Sequence, residues 1–381
     1  MKVSLTDICD FQGGTQPPKD EWIDQPAQGY VRMLQIRDFT QSDKNYIEYV
    51  KDTGKLKTCI EDDILIGRYG ASIGKILTGL AGAYNVAIVK TIPDEKVVSK
   101  KYLYWYLNSQ YFQRFIGNVG SRAAQAGFNK NDLGAAQIPL VDKEQQEEIC
   151  EVLEKTDNLI SLRKQQLAKL DELVKARYVE MFGDVISNSN LWPICKFSEI
   201  TSSRLGKMLD AKQQTGVHRY PYLANFNVQW FRFELKTLNG MDFNESDRIE
   251  FELHDGDLLV CEGGEIGRCA VWHNNVQPCY FQKALHRVRC NKDFILPDFL
   301  AWWFKYNCDH GGFSAIEGAK ATIAHLPGAK LKNLDVCVPP LSLQNQFAAF
   351  VERVDQQKQS VQKSLEKLEL MKKALMQEYF G

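Results

Sequence analysis

The chain carries one sequence pattern twice. Residues 84–110, YNVAIVKTIPDEKVVSKKYLYWYLNSQ, align without a gap on 281–307, FQKALHRVRCNKDFILPDFLAWWFKYN, at a shift of 197. DILIGRYGASIGK (63–75) matches DLLVCEGGEIGR (257–268) at a shift of 194, falling to 193 after one deletion. A long charged-apolar segment ends in Glu-Met-Phe-Gly at 180–183 and in Glu-Tyr-Phe-Gly at 378–381, a shift of 198. A nearly constant shift through such unlike segments means that a whole structural unit was duplicated. Its period, roughly 190–200 residues, is far longer than that of a solenoid repeat. Two diverged copies joined by helices point to two related but different recognition surfaces.

At 381 residues the chain has length for two or three domains, and 44% hydrophobic with 25% charged residues is ordinary for a globular protein. No apolar run reaches the length of a membrane span. The opening MKVSLTDICDF lacks the apolar region and cleavage site of a signal peptide, so a cytoplasmic protein is expected. None of the ten cysteines forms a Cys-x-x-Cys pair. Most, such as Cys261, Cys269 and Cys337, sit singly in apolar strings and read as reduced core thiols.

Four pieces emerge: domains at 1–140 and 184–338, and long helices at 141–183 and 339–381. Strands are expected at 31–39, 63–69, 85–92, 221–228, 257–262 and 284–290, short runs rich in β-branched and aromatic residues. Each domain adds an amphipathic helix, around 99–116 and 297–308. The fold class is α+β: two pseudo-symmetric domains with largely antiparallel sheets, separated by two long antiparallel helices forming a coiled coil.

Proline precedes each long helix, and neither proline nor glycine interrupts Glu144 to Phe182 or Gln344 to Phe380. At ~1.5 Å per residue these helices are roughly 55–58 Å long. In the first, Ile149, Leu153, Thr156, Ile160, Arg163, Leu167, Leu170, Val174, Arg177 and Met181 alternate in steps of four and three. The second repeats this with Phe347, Val351, Val354, Lys358, Val361, Leu365, Leu368, Lys372, Leu375 and Tyr379. Such a seam belongs to a coiled coil. Its polar members fall at different places in the two copies, which suits helices that pair with each other. The first helix delivers the chain to the start of the second domain. By the duplication, the second should end where the first domain begins, so the pair runs antiparallel and Gly381 lies near Met1.

Catalytic motifs are wanting. There is no Gly-x-x-x-x-Gly-Lys-Ser/Thr loop, and Val338-Pro339-Pro340-Leu341 lacks the polar first residue and tyrosine of an amino-methyltransferase motif. All six histidines lie in the second copy at no ligand spacing, so no metal site is expected. Asp257, Glu262 and Glu265 resemble a nuclease cluster. The first copy keeps only Asp63, with Arg68 and Ser72 near the other places, and a duplicated catalytic site would not discard its ligands. No catalytic residue is assigned.

The glycine turns after Asp63 and Asp257 do persist, as Gly70-x-x-x-Gly74-Lys75 and Gly263-Gly264-x-x-Gly267-Arg268. Each is either a tight hairpin with a surface cation or a loop entering a DNA groove. In the second reading Lys75 and Arg268 meet phosphate, and the variable residues Arg68, Tyr69, Ser72, Glu262 and Glu265 meet base edges. A second small-residue loop precedes each long helix. It is either a linker or a nucleic-acid contact through Arg122, Gln125 and Asn129 in one copy and Lys320, Thr322 and His325 in the other. Against DNA stands the net charge of −1. The segments in order carry 17 basic and 15 acidic, 7 and 10, 17 and 18, and 6 and 5 residues. A DNA binder of this balance must gather its cations on one face or share phosphate binding with another subunit.

Several motifs in fixed order now resemble those of a known family. They are Gly13-Gly14-Thr15-x-Pro17 and Leu34-Gln35-Ile36-Arg37-Asp38-Phe39 in the first copy. In the second they are Tyr222-Leu223-Ala224-Asn225, Val228-Gln229-Trp230, the run Asp257–Arg268, and Pro340-Leu341-x-x-Gln344. Over its full length the chain resembles the specificity subunit of type I restriction–modification systems. It departs from the family's pattern at Gln125–Lys130 and in the residues added at Asp142–Gln146. The resemblance implies a non-catalytic subunit with two target-recognition domains, each reading half of a split, asymmetric double-stranded DNA site. It implies spacer helices that set the gap and dock two methyltransferase subunits, which methylate adenine. S-adenosylmethionine, ATP and magnesium would then sit on those partners and on ATP-driven restriction subunits, with no cofactor in this chain. A subunit serving a methyltransferase alone is the runner-up; a nuclease or a coiled-coil scaffold that never touches DNA would come from other classes.

Overall fold

The structure is a computed structural model. It describes residues 1–381 except 42–46, 123–126, 211–213 and 315–324, and no side chain at 120–122. Two compact units form: Met1–Gln165 with Val361–Gly381, and Gln166–Ser360. Each takes one sequence domain and part of both long helices.

The two units share a topological core. In the first, a four-stranded antiparallel sheet has the order Cys9–Gly13, Ile88–Pro93, Leu65–Gly67, Ile76–Leu77; in the second the order is Thr201–Leu205, Leu285–Cys290, Leu258–Cys261, Cys269–Val271. A second sheet in each unit contains its only parallel pairing among the described strands. Tyr30–Leu34 runs beside Gly82–Tyr84, with Leu34 opposite Tyr84, and Arg219–Leu223 runs beside Tyr280–Phe281, with Leu223 opposite Phe281. A short antiparallel pair closes each unit, Lys2–Ser4 with Gln137–Pro139 and Ile194–Lys196 with Asp335–Cys337. Strand order, unreadable from the sequence, thus carries the duplication as strongly as the residues do.

Three expectations about elements need correction. The strand expected at 31–39 stops at Leu34, and Ile36–Thr40 is helical; the run at 221–228 is broken by a turn at Asn225–Asn227. The physical reason is the same in both units. The Gln35 N–H donates to Asp38 Oδ2 at 2.7 Å and the Ala224 N–H to Asn227 Oδ1 at 2.9 Å, so a side chain captures the backbone donor that a continuing strand would need. The helix expected at 99–116 is two, Lys100–Leu107 and Gln110–Arg122, with the hydroxyl of Ser109 accepting from the Phe112 N–H at 3.2 Å. Its counterpart, Pro297–Asp309, is continuous.

The long helices span Lys143–Phe182 and Leu341–Phe380, 40 residues each, or roughly 60 Å. In the first unit Lys164 meets Glu369 at 3.2 Å and Lys372 pairs with Asp157. In the second, Lys358 meets Asp171 at 2.6 Å and Phe182 packs edge-on to Phe347 at 5.4 Å. In each unit numbers rise along one helix as they fall along the other, so the pair is antiparallel. Leu153, Ile160, Val174, Phe347, Val354, Val361 and Leu365 are buried on this seam, and Ile149, Leu167, Leu170, Val351, Leu368 and Leu375 are half-buried. Lys358 and Lys372 lay their stems in the seam and carry their ammonium groups out to aspartates.

Each helix ends in a domain core. Phe182 meets Phe299 edge-on at 4.8 Å, and Phe380 meets Tyr102, the aligned residue, at 5.1 Å. Lys2 Nζ donates to the Gly381 carbonyl at 3.2 Å, which sets Gly381 beside the first strand of its unit, as the duplication required. Each helix start is also locked the same way. Buried Gln146 accepts from the Ser99 N–H (2.9 Å) and donates to the carbonyls of Val97 and Val141 (2.9 and 3.0 Å). Buried Gln344 accepts from the Leu296 N–H (2.8 Å) and donates to those of Phe294 and Pro339 (2.9 and 2.8 Å). All ten cysteines are free, seven of them buried, and burial pushes the Cys9 thiol up to about 12. Among the described residues no helix is long and apolar enough to cross a membrane.

Candidate nucleic-acid interface

Five chain segments converge at one junction in each unit, and backbone bonds tie them together. In the first, Gly14 N–H donates to Ile88 O (3.1 Å), Thr15 N–H to Tyr84 O (3.0 Å), Asn85 N–H to Leu34 O (3.1 Å) and Arg68 N–H to Ala87 O (2.8 Å). In the second, Gly206 N–H donates to Leu285 O (3.0 Å), Lys207 N–H to Phe281 O (3.1 Å), Gln282 N–H to Leu223 O (3.0 Å) and Glu262 N–H to Ala284 O (2.9 Å). A Cβ on Gly14 would stand 2.1 Å from Asn85 O, and one on Gly206 2.5 Å from Gln282 O. Glycine is required at both because two backbones cross there.

The two loops that the sequence singled out separately meet at this junction. Tyr69 bridges to Gly127 and Gly263 to His325, and the Leu326 N–H donates to Glu262 O at 2.6 Å. Arg68 reaches across through Nε to the Phe128 carbonyl at 2.9 Å and stacks over Tyr69 at 5.0 Å, while Tyr69 itself stays 40% exposed. The base of each glycine turn rests on the domain helix. A Cβ on Gly74 would meet Ile116, and one on Gly267 would meet Phe304 and Phe313.

The remaining candidates differ in how free they are. Lys75 is exposed and Ser72 half-buried within the turn. Asn129 Oδ1 caps the helix Lys130–Gly134 by accepting from the Asp132 N–H at 3.0 Å. Arg268 is turned inward: Nη2 donates to Asn225 Oδ1 at 2.5 Å and to Asn225 O at 3.2 Å, which holds the neighbouring turn. Glu265 is half-exposed and its Oε1 accepts from Trp230 Nε1 at 2.6 Å. His325 is exposed beside Gly263. Gln125, Lys320 and Thr322 lie outside the described residues, and for Arg122 only the helical backbone is described.

The carboxylates that could suggest a nuclease do not gather. Asp257 is buried and takes a bidentate bond from Arg289 (2.7 and 3.2 Å) and one from the His254 N–H (2.8 Å). Asp63, its counterpart, is held between Lys90 and Lys100, both at 3.3 Å; burial alone would raise its pKa, but the Ile60 N–H and these lysines hold it below the usual carboxylate range. Both aspartates cap the turn that launches the strand. Among the described residues no group of three His, Cys, Asp or Glu side chains could hold a metal ion.

Several junction residues were not among the candidate contacts, although Asn225 and Trp230 stood in the quoted motifs. Val86 and Lys283 occupy the same place in the crossing loop and are exposed, and Trp230 and Asn225 join the second glycine turn through side chains. The signal for the first pair was present: Val86 against Lys283 is a mismatch inside the closely matching runs YNVAI and FQKAL.

Two units with one frame and different side chains at its exposed junction define a class: a recognition protein with two readers of common descent. The chain belongs to the family of the type I restriction modification DNA specificity domain, whose model matches residues 1–172 and again 190–370. It is similar to the type I restriction enzyme MjaVIII specificity subunit of Methanocaldococcus jannaschii, 21% identical over 402 residues that cover 98% of this chain and 90% of that protein. Among solved structures it is similar to the S subunit of a type I restriction–modification system from M. genitalium, with 14% identity, a TM-score of 0.57, and coverage of 100% of this chain and 96% of the other. A second solved chain, described in connection with complex assembly and conformational transition of the type I R-M system, gives 14% identity, a TM-score of 0.58, and coverage of 100% and 97%. At such identity the structural likenesses speak for the fold.

Proposed function

We propose that the chain gives a type I restriction–modification complex its DNA specificity, each unit reading one half of a split, asymmetric sequence in double-stranded DNA. The observation that carries this is the shared junction: glycine crossings and backbone bonds are kept in both units, while Arg68, Tyr69 and Val86 in one are replaced by Glu262, Gly263 and Lys283 in the other. A kept frame with altered polar groups is what two different base sequences demand, since arginine suits guanine and glutamate suits the amino group of cytosine. The long helices set the gap between half-sites and dock two adenine-methylating subunits. S-adenosylmethionine, ATP and magnesium belong to those subunits and to the translocating restriction subunits that join them. Partners supplying phosphate contacts also account for a recognition chain of net charge −1.

The test is to assemble the chain with its methyltransferase subunit and map methylated adenines in a random-sequence library. One bipartite, asymmetric sequence is expected. Replacing residues 184–338 by the corresponding domain of a relative should change one half and leave the other. Methylation without sequence preference, or of an undivided sequence, would overturn the reading.

A further inference from the structure

The second unit holds one residue of its junction with more contacts than a surface loop requires. Glu265 follows the glycine pair of the turn; its Oε1 accepts from Trp230 Nε1 at 2.6 Å, its Oε2 lies 3.8 Å from Arg268 Nη1, and its side chain stays 49% exposed. Trp230 is fixed in turn. It forms with Phe231 the two-residue turn between the strands Val228–Gln229 and Arg232–Phe233. Phe231 has φ 61°, a left-handed conformation that a bulky side chain adopts only when its surroundings impose it. Those surroundings are visible: its ring stacks on Trp302 at 4.3 Å and 20°, and its N–H donates to the Cys269 carbonyl at 3.0 Å. On the other side Lys305 Nζ sits 4.9 Å over the Trp230 ring, itself tied to Asp309 at 2.5 Å.

We infer that Trp230 is a positioning residue for Glu265, and that the pair reads a base bearing an exocyclic amino group in the major groove, cytosine first among them. The inference rests on the proposed reading of Glu265 as a base contact. An unsupported glutamate has three rotatable bonds and could turn to any donor or withdraw from the phosphates. The indole N–H limits that freedom by holding one oxygen, and the second oxygen of the half-exposed carboxylate is left to meet a single amino donor. Among the described residues the device belongs to the second unit. Its glutamate aligns with Ser72, and the first unit's corresponding corner is the helix Ile36–Thr40.

The experiment uses the full chain assembled with its methyltransferase subunit, and scores base preference at each position of a methylated random library. Trp230→Phe keeps the ring and removes only the donor. Glu265→Gln is expected to relax preference at one base pair by tenfold or more. Trp230→Phe should relax the same base pair, leaving all other positions and the salt dependence of binding unchanged, and the double variant should relax it no further. If Glu265→Gln leaves every preference intact, the base-reading role fails and the inference with it. If Glu265→Gln relaxes one position but Trp230→Phe does not, positioning alone is overturned. A uniform loss of binding to all sequences in Trp230→Phe would also overturn it, by making the residue a plain structural support.

Discussion

At the scale of single residues, the two copies provide their own controls. His286 is buried and its Nε2–H donates to the Leu326 carbonyl at 3.0 Å, next to the loop that bridges His325 to Gly263; its aligned partner is Val89. Burial, more than any neighbouring charge, lowers the pKa of this imidazole below its ordinary 6.5. Between the ordinary and the lowered value the unfolded chain binds the extra proton and the folded chain does not, so stability rises with pH through that window and is lost as pH falls below 6.5. Melting of the wild type should therefore drop on going from about pH 7.5 to about pH 5.5, and His286→Val should flatten that drop; parallel curves for the two proteins would count against this. Residues such as Arg268 show what the sequence could not display. A basic end to the glycine turn in both copies suggested phosphate; folding also brings Arg268 against Asn225, some forty positions away in the chain, where it ties the neighbouring turn. No local pattern encodes such a partner.

At the scale of elements, periodicity did what it does well: the long helices were legible over nearly their whole length because forty residues of alternating three-and-four spacing have one solution. What it missed were short corners. At 35–38 and 224–227 a side-chain oxygen intercepts the backbone, and apolar alternation carries no trace of that capture. The helix starts offer a sharp comparison of energies. Replacing Gln146 by leucine keeps the bulk but takes the partner from one half-buried N–H and two half-buried carbonyls, costing about 1–3 kcal/mol. Lys372→Ala removes a partly exposed ion pair, worth no more than about 1 kcal/mol, and the ammonium that sits over Trp105. Leu153→Ala opens a cavity in the core of the first unit and should cost about 2–5 kcal/mol. Hydrogen-exchange protection of that unit ranks the three, with Lys372→Ala the mildest. If the lysine variant proved as damaging as the leucine one, the seam would be held by charge and not by apolar packing.

At the scale of the whole molecule, the proposed gap between half-sites follows from helix length. Removing one heptad from both long helices together should shift the preferred spacing by ~10 Å, or about 3 bp, in a selection from random DNA. An unchanged spacing would remove the helices from that role. The sequence alone determined the duplication, the two domains, the helix pair and its antiparallel sense, because each is written in long-range repetition or in periodicity that survives divergence. Tertiary structure alone decided strand order, the parallel pair in each unit, and the junction where the glycine turn meets the loop before the long helix. The reason is physical: backbone crossings, orphan donors and inward-turned cations find their partners only once chain segments far apart in sequence are brought within about 3 Å.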